Sequence, residues 1–429
     1  MDRCGPARSA LGAPGFAGVC SLPVRIFHVS WEYPPIVYGG LGRHVHALAE
    51  AQAALGHDVT VLTDHAPDVP SSEYINGVHI LRAEPAPADL PFDTDHLLAW
   101  VLDLDHRMTR RGLESWRVDT PDVIHAHDWL VAHTAMDLRA LDDTPVIATM
   151  HATEAGRHQG WLPTDLSHSI HRIEAWLVGS ANGVITCSTH MEAEVSRQFD
   201  TPPDSIAVIP NGIDTSRWSR TGRSRSTRSD DDGPLLVFCG RLEWEKGVHT
   251  LINAVPRLRR RIPGVRVVIA GDGSQRESLV DLARRRRVAS SVEFTGWLPE
   301  AQLHELMSSA DAVVVPSIYE PFGLVALEAA AVSTPLVVAR TGGLAEFADE
   351  DRTAVTFTPG DVADLADAVQ SLLTDPAMTS TRVRRARRRL RDRHAWPALA
   401  ATTVEFYRQA SARRAPRPDI TFSVTAPRA

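Results

Sequence analysis

The feature that most narrows the fold is an alternation running almost the length of the chain. Short β-branched runs are separated by longer stretches whose apolar residues recur every three to four positions. That pattern belongs to βαβ units, in which helices cover both faces of a parallel sheet. In the first half the predicted strands are 25–30, 58–63, 79–82, 123–126, 146–149, 183–187 and 206–209, with helices between them. One helix is expected over 42–56, where Val45, Leu48, Ala49 and Ala53 share a face and Gly56 stands at a C-terminal glycine position. Residues 219–233 (SRTGRSRSTRSDDDG) hold no large apolar side chain, so they cannot bury surface to offset their ordering entropy. The alternation then restarts, with strands at 235–239, 266–270, 292–295, 312–315 and 336–339.

An α/β class follows: two Rossmann-like domains facing an interdomain cleft, with ligand at the carboxyl ends of the strands. The expected division is an extension over 1–22, a first domain over 23–210, a linker or insertion over 211–234, a second domain over 235–395, a helix over 396–411 and a tail over 412–429. A length of 429 residues supplies two to three cores. With 43% hydrophobic and 23% charged residues the chain is globular, and a net charge of -8 argues against a chain-wide grip on nucleic acid. Cys4, Cys20, Cys187 and Cys239 form no CxxC, and buried free thiols in a reducing cytoplasm are expected. The first 22 residues lack the apolar stretch of a secretory signal, and no window approaches the roughly 20 apolar residues that cross a bilayer.

The densest chemical signal is PSIYEPFGLVALEAAA, residues 316–331. Pro321 bars helix through Glu320, which places that carboxylate on the loop at a helix mouth, while Glu328 lies deeper in the helix. The free N–H groups of Phe322, Gly323 and Leu324 would then favour an anion, with phosphate the natural guest and Glu320 and Glu328 placed for sugar hydroxyls and a diol. A second signal is GRLEWEKG at 240–247, where Arg241 and Lys246 follow a strand that opens on the same cleft. Two cations there would neutralise a departing diphosphate without a metal ion. Among 45 basic residues Lys246 is the single lysine, which suggests that this position requires a compact point charge. A third is the glycine loop Gly39, Gly40 and Gly42 between the first strand and first helix, where backbone can approach a ligand closely.

Two further groups stand at strand ends. His125, His127 and Asp128 (HAHDW) read as hydrogen-bonding groups for a substrate rather than metal ligands, since no further ligand follows at a characteristic spacing. His151, in TMHATE, occupies an equivalent place, where a structural role is an equal reading. GDG at 271–273 lacks the third glycine of a dinucleotide fingerprint, which disfavours dehydrogenase chemistry.

Together, the glutamates Glu320 and Glu328, GRLEWEKG, PNGID at 210–214, GWL at 296–298 and TGGLAE at 341–346 resemble the retaining glycosyltransferases of the GT-B fold, family 4, glycogen-synthase-like group. SWEYPPIVYGGLGRHVHALA and HAHDWLVA are similar to actinobacterial α-1,4-glucosyltransferases of glycogen and methylglucose lipopolysaccharide synthesis. The resemblance implies that Arg241 and Lys246 hold the donor diphosphate, Glu328 the ribose, and Glu320 with Gly323 and Leu324 the sugar and phosphates. It implies further that Gly40 meets a phosphate from the acceptor-side domain, Trp297 and Leu298 flank the base, His151 contacts the donor sugar and Asp128 contacts donor or acceptor hydroxyls. The helix 396–411 would cross back onto the first domain.

The expected reaction moves glucose from UDP- or ADP-glucose to an α-glucan or related oligosaccharide with retention, forming α-1,4 links and using no cofactor or essential metal. Ile36, Val37 and Tyr38 stand where ADP-glucose synthases carry a KxGGL lysine, so the donor base stays open and a GDP-mannose-dependent mannosyltransferase is the alternative. A pyridoxal-dependent glycan phosphorylase and a non-catalytic sugar-nucleotide-binding module are the readings outside this class. The segment 382–393 (RVRRARRRLRDR), from Arg382 to Arg393, reads first as a solvated basic helix and second as a peripheral contact with an anionic membrane.

Overall fold

The computed structural model describes residues 22–87, 90–116, 120–218 and 233–412. The first lobe carries β1 (Arg25–Val29), β2 (Asp58–Thr63), β3 (Ser72–Ile75), β4 (Val78–Arg82), β5 (Val123–His127), β6 (Val146–Met150), β7 (Gly183–Thr186) and β8 (Ile206–Val208). They form one sheet in the order β3-β4-β2-β1-β5-β6-β7-β8, parallel throughout except for the β3–β4 pair. The second lobe carries β9 (Leu235–Cys239), β10 (Arg266–Ala270), β11 (Val292–Gly296), β12 (Ala312–Val315), β13 (Leu336–Ala339) and β14 (Val355–Phe357). Its all-parallel order, β11-β10-β9-β12-β13-β14, is the doubly wound one.

In both sheets the strand order reverses beside the first strand, at β1/β5 and at β9/β12. Crossovers leave in opposite directions there, opening a crevice at the carboxyl ends of the strands. Each sheet is buried on both faces, which is why its strands read as continuous apolar runs rather than alternating ones.

The sequence reading needs three corrections. The first helix spans Gly40–Ala54, two residues earlier than expected, and Gly56 (φ +88°) lies just beyond its Leu55 cap. Strand β3 was not expected: its side chains are mostly exposed and it is held by pairing to β4 across a two-residue Asn76-Gly77 turn with both φ positive. Strand β14, only three residues long, also escaped the pattern. Of the segment expected as a linker, 211–234, residues 219–232 lie outside the described residues, as do Cys4, Cys20 and residues 413–429. Cys187 and Cys239 are buried free thiols.

After β14 the chain forms the helix Pro376–Arg393, whose Ala386 and Leu390 enter the second-lobe core, and then the helix Trp396–Ser411. Leu399, Val404, Phe406, Tyr407 and Ala410 of that last helix pack into the first-lobe core with Ile26, Val59, Ile147 and Ile185. A side chain at Gly183 would meet the Phe406 ring at 2.8 Å, so the glycine permits this docking. The chain's end therefore ties the lobes together. No helix among the described residues is long and apolar enough to cross a membrane.

Candidate active site

Two second-lobe loops supply the cationic half of the crevice. After β9 the chain turns through Arg241 to Lys246 and Gly247, where the helix Val248–Arg261 begins. Gly247 has φ +65°, and a Cβ there would lie 2.0 Å from the Pro316 carbonyl oxygen of the loop after β12. That approach, together with the Ile318 N–H donating to the Glu245 carbonyl at 2.7 Å, locks the loops side by side. The Lys246 ammonium consequently donates to Glu320 Oε2 at 2.9 Å, and Ser317 Oγ donates to the same oxygen at 3.0 Å.

Glu320 precedes the helix Leu324–Ala331, whose N-cap Gly323 is left-handed at φ +98°. Among the described residues nothing accepts from the N–H groups of Phe322, Gly323 or Leu324, so the helix mouth keeps donors free for an anion. Glu328, inside this helix, is buried. Its Oε1 accepts from Arg43 of the first lobe, while its Oε2 has no partner. An orphaned buried carboxylate oxygen at a cleft edge is a ready acceptor for a hydroxyl.

The facing half comes from β5 and β6. Asp128 follows β5 with φ +62°, a costly conformation for a non-glycine residue. Its Oδ1 accepts the His151 backbone N–H at 2.7 Å, joining the two strand ends. Burial raises the Asp128 carboxyl to about 6, and burial lowers His151 to about 3. Arg157, in the short helix Glu154–Arg157, was not singled out from sequence. Desolvation opposes its charge, but Glu245, Asp128, Tyr319 and Glu154 outweigh that and hold it firmly protonated. Desolvation and then the Arg157 guanidinium lower Arg241, while Glu245, Glu243 and Glu320 oppose them. Arg157, Arg241, Lys246, Asp128 and Glu320 thus share one field across the crevice. Position alone hinted at Arg157, six residues beyond a strand-end histidine.

The first-lobe glycine loop differs from the simple phosphate cradle expected. Glu32 is buried and its Oε2 accepts the N–H groups of Tyr38 at 2.6 Å and Gly39 at 3.1 Å. A carboxylate of the protein already occupies part of that helix mouth. Gly40 itself faces the other lobe, where a Cβ would meet Leu324 Cδ1 at 2.8 Å. Trp297 and Leu298 stand on the loop leaving β11. Trp297 is 63% exposed and Leu298 rests on the second-lobe core.

Direct contacts close the crevice along one side. Tyr319 Oη donates to Glu194 Oε1 at 2.8 Å, Ser188 Oγ donates to the Pro321 carbonyl at 2.7 Å, and Glu346 accepts the Thr189 and His190 N–H groups. Beneath His151 lies a string of buried imidazoles. His28, His125 and His127 form one group of three, and His44, His127 and His151 another, either able to hold a metal ion by spacing. Sequence spacing had suggested no such third ligand. Both ring nitrogens of His28 and of His125 are hydrogen-bonded within the protein.

The family models for "Glycosyltransferase Family 4" and "Glycosyl transferases group 1" match residues 38–217 and 219–389, one on each lobe. The chain is a glycosyltransferase of the GT-B fold. This glycosyltransferase is 47% identical over 411 residues to a protein named glycogen synthase from Mycobacterium tuberculosis, covering 92% of this chain and 97% of that one. It is 29% identical to the α-maltose-1-phosphate synthase of the same organism, over 91% of this chain and 100% of the relative. Among solved structures, sucrose-phosphate synthase from Thermosynechococcus elongatus superposes on the glycosyltransferase with a TM-score of 0.79 at 25% identity, over 91% and 99% of the two chains. The resemblance read from the paired glutamates and GRLEWEKG is borne out.

Proposed function

We propose that this enzyme is a cytoplasmic retaining glucosyltransferase that moves glucose from UDP- or ADP-glucose to an α-glucan or related oligosaccharide, forming α-1,4 links without a metal ion. The observation that carries the reading is the meeting of Lys246, Glu320 and Arg241 opposite Asp128, Arg157 and His151 in one crevice. The relative named glycogen synthase supports the choice of sugar and acceptor.

In this reading the donor diphosphate lies against Arg241, Lys246 and the free N–H groups of Phe322, Gly323 and Leu324. Glu328 Oε2 takes a ribose hydroxyl, Gly40 borders a phosphate, and Trp297 with Leu298 flanks the base. His151 and Asp128 face the sugar and the acceptor. The anomeric carbon–oxygen bond breaks with its electron pair leaving on the diphosphate, whose charge is met by protein cations already in place. The acceptor hydroxyl attacks the face just vacated, and its proton passes to the departing phosphate oxygen. Contact between the lobes excludes water that would hydrolyse the donor.

The test is nucleoside diphosphate release from UDP-glucose, ADP-glucose and GDP-mannose, each with maltooligosaccharide, followed by linkage analysis. Release that requires glucan and yields an α-1,4 product is expected with one of the glucose donors. Release only from GDP-mannose, or a product only with glucose 1-phosphate as acceptor, would replace the proposal. The latter arm follows from the maltose-1-phosphate synthase relative.

A further inference from the structure

His151 ends a continuous hydrogen-bonded string that no motif announced. Its Nε2 lies 3.3 Å from His127 Nδ1, and His127 Nε2 lies 3.0 Å from His28 Nδ1. His28 Nε2 then meets Gln52 Oε1 at 2.7 Å. The other end of that carboxamide, Nε2, donates to Tyr407 Oη at 3.1 Å, and Tyr407 Oη meets His125 Nδ1 at 2.6 Å. His125 Nε2 in turn meets Thr149 Oγ1 at 2.6 Å. Gln52 and these imidazoles other than His151 are fully buried.

Burial holds His28 near 4 and His127 far below its ordinary value, so the rings are neutral at physiological pH. A neutral imidazole has one donor and one acceptor nitrogen, and the partner of one nitrogen fixes the role of the other. The Gln52 carboxamide is the one member of the string with a donor-only end and an acceptor-only end. Its oxygen faces His28, which makes His28 Nε2 the donor and Nδ1 an acceptor. His127 must then donate from Nε2 and accept at Nδ1, and His151 must donate from Nε2. The remaining nitrogen of His151, Nδ1, is left bare, able to accept from a sugar hydroxyl but not to donate.

We infer that Gln52, acting through His28 and His127 and anchored by Tyr407, is a positioning residue that sets His151 in its Nε2–H tautomer. Tyr407 belongs to the helix Trp396–Ser411, so the segment that joins the lobes also orders the hydrogen bonds under the site. The effect on turnover rests on the glucosyl-transfer reading; the tautomer does not.

The experiment records long-range proton–nitrogen correlations on the full-length, unliganded chain labelled with ¹⁵N-histidine, His151 being identified by the signals lost in His151→Asn. The wild type should show His151 protonated on Nε2 alone. Gln52→Leu should give a mixture of tautomers and lower kcat about tenfold, with the donor KM changed less than about twofold. Tyr407→Phe, which keeps the ring but releases the carboxamide, should give a partial mixture. A wild-type His151 protonated on Nδ1, or Gln52→Leu and Tyr407→Phe spectra identical to the wild type, overturns the inference. An enzyme that releases nucleoside diphosphate from no donor yet shows these tautomers would leave the string intact and remove only the transfer reading.

Discussion

At the scale of single residues, the site depends on side chains whose places are set by neighbours with little freedom. Lys246 reaches Glu320 because Gly247 lets its turn lie against the Pro316 carbonyl, a position that leaves no room for a Cβ. In the proposed reaction this ammonium meets charge only as the bond to the leaving group breaks. Lys246→Ala should slow transfer by two decades or more, about 3 kcal/mol, as for other lost oxyanion donors. The check is kcat at saturating donor, and unchanged turnover would remove the lysine from the mechanism. Both members of this pair were legible in sequence, one as the sole lysine and the other as a glutamate held out of a helix by Pro321. Arg157 was not, because Glu245, Asp128 and Tyr319 are brought near it only by folding, and Glu32 was not, because its hold on the nearby Tyr38 and Gly39 N–H groups depends on the shape of the loop between them.

At the scale of elements, the last two helices have different roles despite adjoining each other. The helix Trp396–Ser411 completes the first-lobe core, where Phe406 is buried against Gly183. Phe406→Ala should cost about 3–5 kcal/mol, read by denaturant unfolding of the whole chain. A cost below 1 kcal/mol would mean that the helix contributes little to holding the lobes. The preceding helix carries the arginine run, and its inner side chains are already engaged. Arg389 donates to the Glu346 carbonyl and pairs with Asp349, and Arg382 donates to the Asp351 carbonyl. Arg385, Arg388 and Arg393 interleave with Asp392 around a cavity open to water, rather than framing an apolar stripe that could insert. The full-length chain is therefore expected to stay in solution in flotation assays with anionic vesicles at physiological salt. Vesicle-bound protein would revive the membrane reading.

At the scale of the whole molecule, buried ionisable groups govern how stability responds to pH. Burial holds His28 near 4, His151 near 3 and His394 near 4, and depresses His44, His125 and His127 well below the ordinary imidazole value. Each of these bases takes its proton first in the unfolded chain, so stability is lost as pH falls below the unfolded histidine value of about 6.5. Burial raises Asp128 to about 6, Asp105 to about 7 and Glu174 to about 8. Those acids keep their protons longer when folded, so their contribution is present at low pH and fades as pH rises from about 4 through each folded value. The histidines outnumber these acids below pH 6.5, and the acids act alone above it. Thermal stability should therefore peak between about pH 6 and 7 and decline on both sides. Melting curves taken from about pH 5 to 9 check this, and a continuous rise toward pH 5 would mean that the histidines are not buried neutral.

The alternation of short apolar runs with amphipathic stretches determined by itself that two parallel sheets form, because strands buried on both faces must read as unbroken β-branched segments. The glycine and paired acids of residues 316–331 likewise announced a helix mouth open to an anion, since a helix start and its unsatisfied N–H groups are local properties. What joins distant parts of the chain could be decided only by tertiary structure. Arg43 on Glu328, Glu346 on the helix Thr189–Phe199, and Tyr407 on Gln52 and His125 link residues between 156 and 355 positions apart. No periodicity records such partners, because each hydrogen bond exists only once folding has brought distant segments together.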